Sequence, residues 1–483
     1  MKWNAWKWIS GLGALSVAVA AAQETNELEQ LRKEIRELRA RTQLLEQKLD
    51  DIGRRPATPT APTEASAAPA TTGSAAAAGT TKSWSPADPI RIGKGGTYAD
   101  LGLVATFAAG GSTANDIEGG TELGGHDPNQ RGFTVQGVEL NLQGAIDPYF
   151  RGNANIAFLL DAGGETTVEL EEAWLETVSL PWNLQVRAGQ MLTDLGRINA
   201  QHPHSWAFVD VPLVNGRLLG PDGLRNPGAR LSWLAPTPFY SELFFAVQDS
   251  QGGTAYSFRD DHGGAPFLGR INGTGNVKSF SDLLLTTRYA VSFDLTDNQT
   301  LLAGASAAFG PNSSGANTDT QIYGVDTYWK WKSANAHGGF PFVSWQTEAM
   351  VRQYEAGAIP PLLFPPPSDY PPASIDFPAI PAEMLTDWGF YSQVLWGIKP
   401  GWVAGLRGDY VTPTKPGEYE AIYGPDPKRA KRWRIAPNLT WYPSEFSKLR
   451  LQYNYDDRAG IGVDHSIWLQ FEFLLGAHAA HKF

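Results

Sequence analysis

Side-chain character changes at every residue along sixteen stretches of this chain, and a repeat of two belongs to a β-strand whose faces meet different surroundings. In Arg151-Gly-Asn-Ala-Asn-Ile-Ala-Phe158, one face carries Arg151, Asn153 and Asn155, the other Ala154, Ile156 and Phe158. Gly324, Asp326, Tyr328 and Lys330 likewise oppose Tyr323, Val325, Trp329 and Trp331. Arg450, Gln452, Asn454 and Asp456 oppose Leu449, Leu451, Tyr453 and Tyr455. One face is polar and charged, the other aliphatic and aromatic. Strands are expected at 97–107, 133–145, 150–160, 167–178, 183–192, 227–234, 239–248, 282–293, 300–309, 321–331, 342–354, 388–398, 401–411, 432–441, 448–456 and 465–483.

The connectors sort by length. Those leaving even-numbered strands are mostly short, such as Asp147-Pro148, Leu180-Pro181, Pro236-Thr237-Pro238, Thr296-Asp297-Asn298 and Lys399-Pro400-Gly401. Most leaving odd-numbered strands are long, including 110–132, 193–227, 250–281, 355–387 and 412–431. A meander crossing a membrane sorts its loops this way, with tight turns on the periplasmic side and longer loops outside. A soluble sandwich has no reason to. Tilted strands of about 9–11 residues cross a bilayer, and closure removes the edges that lipid could not satisfy. Tyr149, Trp182, Trp402, Trp441 and Tyr442 flank short turns, where an interfacial girdle belongs. The expected fold class is therefore all-β, a transmembrane antiparallel up-and-down β-barrel of about 16 strands over residues 91–483.

The 483 residues hold 39 Lys plus Arg against 50 Asp plus Glu, and no Cys. That excludes disulfide scaffolds and thiolate chemistry, and the acidic balance argues against a nucleic-acid partner. At the N-terminus, Lys2 and Lys7 precede an apolar run from Ile9 to Ala21, and Ala20-Ala21-Ala22 offers a cleavage site before Gln23. Residues 1–22 read as a signal peptide, the run being shorter than the about 20 apolar residues of a membrane span. Leu28, Ile35, Thr42 and Leu49, with Leu31, Leu38, Leu45 and Ile52, form two seven-residue seams flanked by charge. A seam so narrow is stable against other helices, so 23–53 is expected to be an α-helical coiled coil holding a homo-oligomer together. Residues 54–90 are rich in Ala, Pro and Thr and read as a disordered linker. Even strand parity puts both barrel ends on the short-turn side, and the coiled coil in the periplasm.

Gly476-Ala-His-Ala-Ala-His481-Lys-Phe483, ending an alternating strand on Phe, resembles the assembly signal of Gram-negative outer-membrane proteins. Leu184-Gln-Val-Arg-Ala-Gly-Gln-Met-Leu-Thr-Asp-Leu-Gly196 resembles the central strand motif of the phosphate-selective porins, and Tyr442-Pro-Ser-Glu-Phe-Ser-Lys-Leu-Arg450 their late turn and strand. The order of coiled coil, linker and barrel is similar to that of the trimeric dicarboxylate porins. These resemblances imply a trimer in the outer membrane of a Gram-negative cell, bathed by lipid and lipopolysaccharide, with the barrel assembly machinery as partner of the last strand. Gly196-Arg-Ile-Asn-Ala-Gln-His-Pro-His-Ser-Trp-Ala-Phe-Val-Asp210 also resembles proteins labelled zinc-regulated TonB-dependent outer-membrane receptors. That implies a plug domain, for which a coiled coil and a low-complexity tether supply no globular sequence.

The loop after the fifth strand is the one that folds into the lumen of trimeric porins as the constriction. Here it carries both charge signs, in Asp194, Arg197, Asp210, Arg217, Asp222 and Arg225. Opposed charges at a narrowing set up a transverse field. The inner face is expected to present Arg151, Arg187, Arg288, Arg352, Arg407, Arg434 and Arg450, with Glu139, Asp326, Glu348, Asp409 and Glu472. The planar guanidinium fork suits carboxylates and phosphates, which leans the reading to anionic solutes. His202 and His204 are candidate metal ligands, with His478 and His481 a second pair, but two ligands make no site. No cofactor is expected. No Gly-x-Ser-x-Gly, HExxH or phosphate loop recommends an enzyme. The sequence thus predicts a passive porin for small hydrophilic, anionic solutes. A TonB-dependent receptor for zinc or a metal complex and a carbohydrate porin stay open beside it.

Overall fold

The computed structural model describes residues 90–94, 97–114, 123–145, 147–161, 163–260, 262–271, 273, 276–364 and 375–476. The expected signal peptide, coiled coil, nearly all of the linker and the last residues of the C-terminal strand lie outside them. All described residues fall in the unit Lys82–Phe483.

The strands in chain order are β1 Ile90–Lys94, β2 Thr97–Ser112, β3 Gly132–Ala145, β4 Phe150–Leu160, β5 Thr166–Thr177, β6 Leu184–Leu192, β7 Arg225–Leu234, β8 Tyr240–Asp249, β9 Leu283–Thr296, β10 Gln299–Pro311, β11 Asp319–His337, β12 Phe340–Ala356, β13 Leu362–Phe364, β14 Ile375–Phe377, β15 Glu383–Lys399, β16 Trp402–Pro413, β17 Arg432–Ser444, β18 Ser447–Arg458 and β19 Gly462–Gly476. The helices α1 Leu213–Leu219 and α2 Glu418–Tyr423 lie in loops. Strands β2–β12 and β15–β19 pair antiparallel with their sequence neighbours, and β19 returns to β2 from Ser466↔Ser112 to Gly476↔Gly102, closing a barrel of 16 strands. Each expected stretch is one of these strands. β13 and β14 pair only with each other, inside one loop.

Two features were not anticipated. β1 pairs with the start of β2, from Ile90↔Leu101 to Lys94↔Thr97, just past the point where the β19 register ends. A five-residue strand against a low-complexity stretch offers too little alternation to be recognised. β11 and β12 also run well beyond 321–331 and 342–354, because pairing continues to a tight turn at Gly338-Gly339.

Burial is inverted relative to a water-soluble protein. On β18, Lys448, Arg450 and Gln452 are at most 2% exposed, whereas Leu451 is 48% and Tyr453 39% exposed. On β19, Ser466, Gln470 and Glu472 are buried while Ile467, Leu469 and Phe471 face outward. Polar side chains therefore fill the interior and apolar ones cover the outside, the arrangement of a barrel whose solvent is lipid. At the short-turn end Tyr149 and Trp182 are exposed, and Trp402 stacks on Trp441 at 5.9 Å across a registered pair. The turn before that pair needs Gly401, whose φ is +79° and whose Cβ, were there one, would meet the Tyr442 carbonyl at 2.8 Å.

Candidate functional site

Residues 193–224, between β6 and β7, fold into the barrel. Their apolar side chains explain why: Leu195, Ile198, Leu213, Val214, Leu218, Leu219 and Leu224 form one buried cluster with Leu284, Ala308, Ile322, Met350, Tyr391 and Val411 of the inner wall. α1 is buried along its whole length, entered from Pro212 and ended at Gly220, whose N–H donates to the Gly216 carbonyl. A loop this deep must find partners for its backbone groups. Lys448 donates to the His204 carbonyl at 2.7 Å, Arg450 to that of Trp206 at 3.0 Å, Asn438 to that of Ala207 at 2.8 Å and Arg434 to that of Val211 at 2.6 Å. Gln452 accepts from the Val209 N–H and Asp409 from that of Leu213.

Two carboxylates fix the loop. Asp210 accepts from Arg407 at 2.6 Å, Arg434 at 3.0 Å, Gln452 at 3.0 Å and Asn454 at 2.8 Å. Burial alone would raise its pKa, yet the Arg434 and Arg407 charges and these hydrogen bonds hold it at about 2. Glu348 accepts from the N–H groups of Arg197 at 2.9 Å and Ile198 at 3.2 Å, and from Asn215 at 2.9 Å. Gly196 makes that approach possible, since at φ +66° a Cβ there would stand 2.2 Å from Glu348 Oε1.

The other loop residues singled out in the sequence are held as follows. Asp194 pairs with Arg230 at 2.9 Å. Arg217 donates to the carbonyls of Arg429 and Ala430, and burial followed by the nearby Arg432 charge lowers its pKa to about 10. Asp222 is half-buried, and Arg225, already the first residue of β7, pairs with Glu169 at 2.5 Å. Arg197 donates to Gln346 at 3.2 Å and lies 4.3 Å over the Tyr328 ring.

On the wall, Arg151 and Arg187 share Glu176 with Arg230. Arg288 grips Asp326 through two bonds of 2.6 and 3.0 Å, and Arg352 meets Asp387 at 2.6 Å. Arg407 and Arg434 both reach Asp409, while Arg450 is held by Thr440 and Gln470, and Lys448 by Glu472. Arg288, Arg352, Arg407, Arg434 and Arg450 are buried and Arg151 is exposed, and most of these guanidiniums are committed to the protein's own carboxylates and carbonyls. Half-buried Arg197 and Lys330 have no ion pair among the described residues.

A second set of loop contacts, on β3 and β5, includes only one residue that the strand alternation singles out, Glu139. β5 carries Glu169, Glu171, Glu172 and Glu176 in one short run, a signal that was there to be read. Glu171 and Glu172, with Glu139, gather the loop histidines: His202 Nδ1 is 3.2 Å from Glu171 and its Nε2 3.1 Å from Glu172, while His204 Nδ1 is 2.9 Å from Glu139. His126, from the loop after β2, lies 3.2 Å from Glu171. Its other nitrogen faces the Gln136 carbonyl at 3.0 Å. Burial opposes charge on this ring, but the hydrogen bond and charge of Glu171 hold its pKa at about 9. The loop is therefore fastened at separate places on the wall: carboxylates of β3 and β5 take its imidazoles, arginines of β16 and β17 take Asp210, and Glu348 of β12 takes its N–H groups.

No family model matches the chain. An uncharacterized protein of Aquifex aeolicus (strain VF5) is 30% identical over 419 residues, 80% of each chain. Among solved structures, the outer membrane channel DcaP of Acinetobacter baumannii superposes with a TM-score of 0.51 at 12% identity, over 79% of this chain and 98% of that one, a likeness of fold.

Proposed function

The chain belongs to the same family as that Aquifex aeolicus protein, and as the work of this barrel we propose passive diffusion of small hydrophilic, anionic solutes across the outer membrane of a Gram-negative cell. The observation that carries the reading is the closed barrel with charge inside, an apolar outside and one loop drawn across its lumen. The loop carries both charge signs and meets carboxylates of β3, β5 and β12 and guanidiniums of β16 and β17 at separate places, the separated charge that a constriction with its own field needs. The anionic lean is supported by Arg197 and Lys330, cations left half-exposed to the lumen without a carboxylate partner among the described residues. Dicarboxylates and phosphate are the solutes that a guanidinium recognises best. The same reading makes the assembly a trimer tied by the periplasmic coiled coil 23–53, surrounded by lipid and lipopolysaccharide. It also has the last strand recognised by the barrel assembly machinery.

The test is electrical. The refolded chain is placed in a planar bilayer and its reversal potential measured across a KCl gradient, before and after adding succinate or phosphate. Anion-leaning steps that either solute blocks support the proposal. A membrane that stays silent, or a cation-leaning potential, refutes it.

A further inference from the structure

Three side-chain oxygens and nitrogens converge inside the barrel, from elements far apart in sequence. Glu139 comes from β3, Glu171 from β5 and His202 from the inward loop, and one ligand atom from each lies within 4.8 Å of the other two. We propose that Glu139, Glu171 and His202 bind a divalent transition-metal ion, with Asn155 as a fourth ligand, so that the ion ties the inward loop to β3 and β5.

Asn155 is the independent observation. Its side chain is fully buried on β4, between the two Glu strands. Its Nδ2 stands at the focus of the three candidate ligands, 2.6 Å from Glu171 Oε2, 3.3 Å from Glu139 Oε2 and 3.2 Å from His202 Nδ1. Its two amide hydrogens face two carboxylate oxygens and a ring nitrogen that donates or accepts according to its tautomer. Meanwhile its Oδ1 is buried without a hydrogen-bond partner, which a native interior rarely tolerates. Turning the amide over about Cβ–Cγ exchanges the two atoms, and amide orientation is fixed only by such networks. The orphaned oxygen would then face the same focus as the two carboxylates and the imidazole.

Four ligands, three oxygens and one nitrogen, make a borderline-hard set. Imidazole selects against Ca²⁺ and Mg²⁺, and the absence of thiolate selects against soft ions, leaving Zn²⁺, Mn²⁺ or Co²⁺. Glu172 at 3.1 Å from His202 Nε2 supplies the outer carboxylate that orients a ligating imidazole. His126 lies against the outer oxygen of Glu171, and His204 Nδ1 lies 2.9 Å from the inner oxygen of Glu139. A cavity of about 30 Å³ bordered by Glu171, His202 and Trp206 gives an ion room to arrive. The inference does not depend on the channel reading: it concerns binding, whether or not solutes pass.

The full-length chain, purified in detergent with His478 and His481 replaced by Ala and stripped with chelator, is titrated with Zn²⁺ by calorimetry and with Co²⁺ by visible absorption. One ion per chain is expected, with a Co²⁺ ligand-field band and a rise in unfolding temperature on adding Zn²⁺. Glu171→Gln and His202→Gln should weaken binding ~10- to 100-fold. Asn155→Asp should retain it and Asn155→Leu lose it, a contrast that a mere packing role would not produce. His465→Ala, on the outer face beside Tyr453, should change nothing. Absence of binding at millimolar Zn²⁺ would overturn the proposal. So would undiminished binding in folded Glu171→Gln and His202→Gln chains.

Discussion

Arg407 holds Asp210 at two points, donating to its carboxylate at 2.6 Å and to its main-chain carbonyl at 2.9 Å, although the two residues are 197 positions apart. This double contact, reinforced by Arg434, ties the inward loop to β16 and β17.

Removing the carboxylate should therefore free the loop and leave two buried guanidiniums with Asp409 as the one carboxylate they share. Asp210→Ala is expected to lower stability by about 3–5 kcal/mol, the usual cost of breaking a buried pair from one side. Single-channel steps should become larger and noisier. Urea unfolding in lipid vesicles and bilayer recording measure the two effects. Unchanged conductance would mean that the loop does not set the constriction.

Acid should act through the same residue, and the direction follows from its pKa of about 2 in the fold. A carboxylate held below its unfolded value of about 3.9 adds stability that is fully present above that value and lost as pH falls through the folded one. The loop anchor is expected to stay intact from neutrality down to about pH 4 and to weaken between about pH 4 and 2. Conductance followed during acidification checks this. Release already at pH 6 would point to another group.

At Gly196, φ of +66° and the 2.2 Å approach to Glu348 leave no space for a methyl group. Gly196→Ala should cost about 1–3 kcal/mol and disturb the three loop donors that Glu348 accepts. Gly408→Ala, where a Cβ would meet nothing within 4 Å, should stay within about 0.5 kcal/mol. Equal effects in denaturant melts would refute the argument.

Charge reversal at the two half-exposed cations should move ion preference with little effect on folding. Arg197→Glu combined with Lys330→Glu is expected to shift the reversal potential toward cations. A potential unmoved by both changes would place the selectivity elsewhere in the lumen.

The outer face gives a test of its solvent. Leu451 lies outward between buried Arg450 and Gln452, so Leu451→Arg should destabilise the barrel by about 2–4 kcal/mol in lipid near the midplane. On a water-facing surface such a change would stay within about 0.5 kcal/mol. Unfolding titrations in vesicles distinguish the two.

The barrel was legible because each strand writes its own alternation: Arg450, Gln452 and Asn454 lie inside, as their spacing required. The inward course of the third outer loop was legible only through resemblance, since nothing local to 193–224 marks its partners. Asp210 meets residues more than 190 positions away, and no spacing rule reaches that far. The pairing of the arginines was invisible, because a register of strands decides which carboxylate each one meets. The acidic run of β5 was readable but went unread, and His126 and Asn155 have meaning only once β3, β4 and β5 lie side by side.

Asp210's partners Arg407, Arg434, Gln452 and Asn454 stand on β16, β17 and β18, late in the chain. The loop is made early and these fastenings are made late. It follows that the narrowing is incomplete in a half-assembled wall: until the final strands are laid, the Asp210 stretch of the segment is a loose arm. Sealing the cylinder and setting its bore are one event, and a chain truncated before β16 would lose both together.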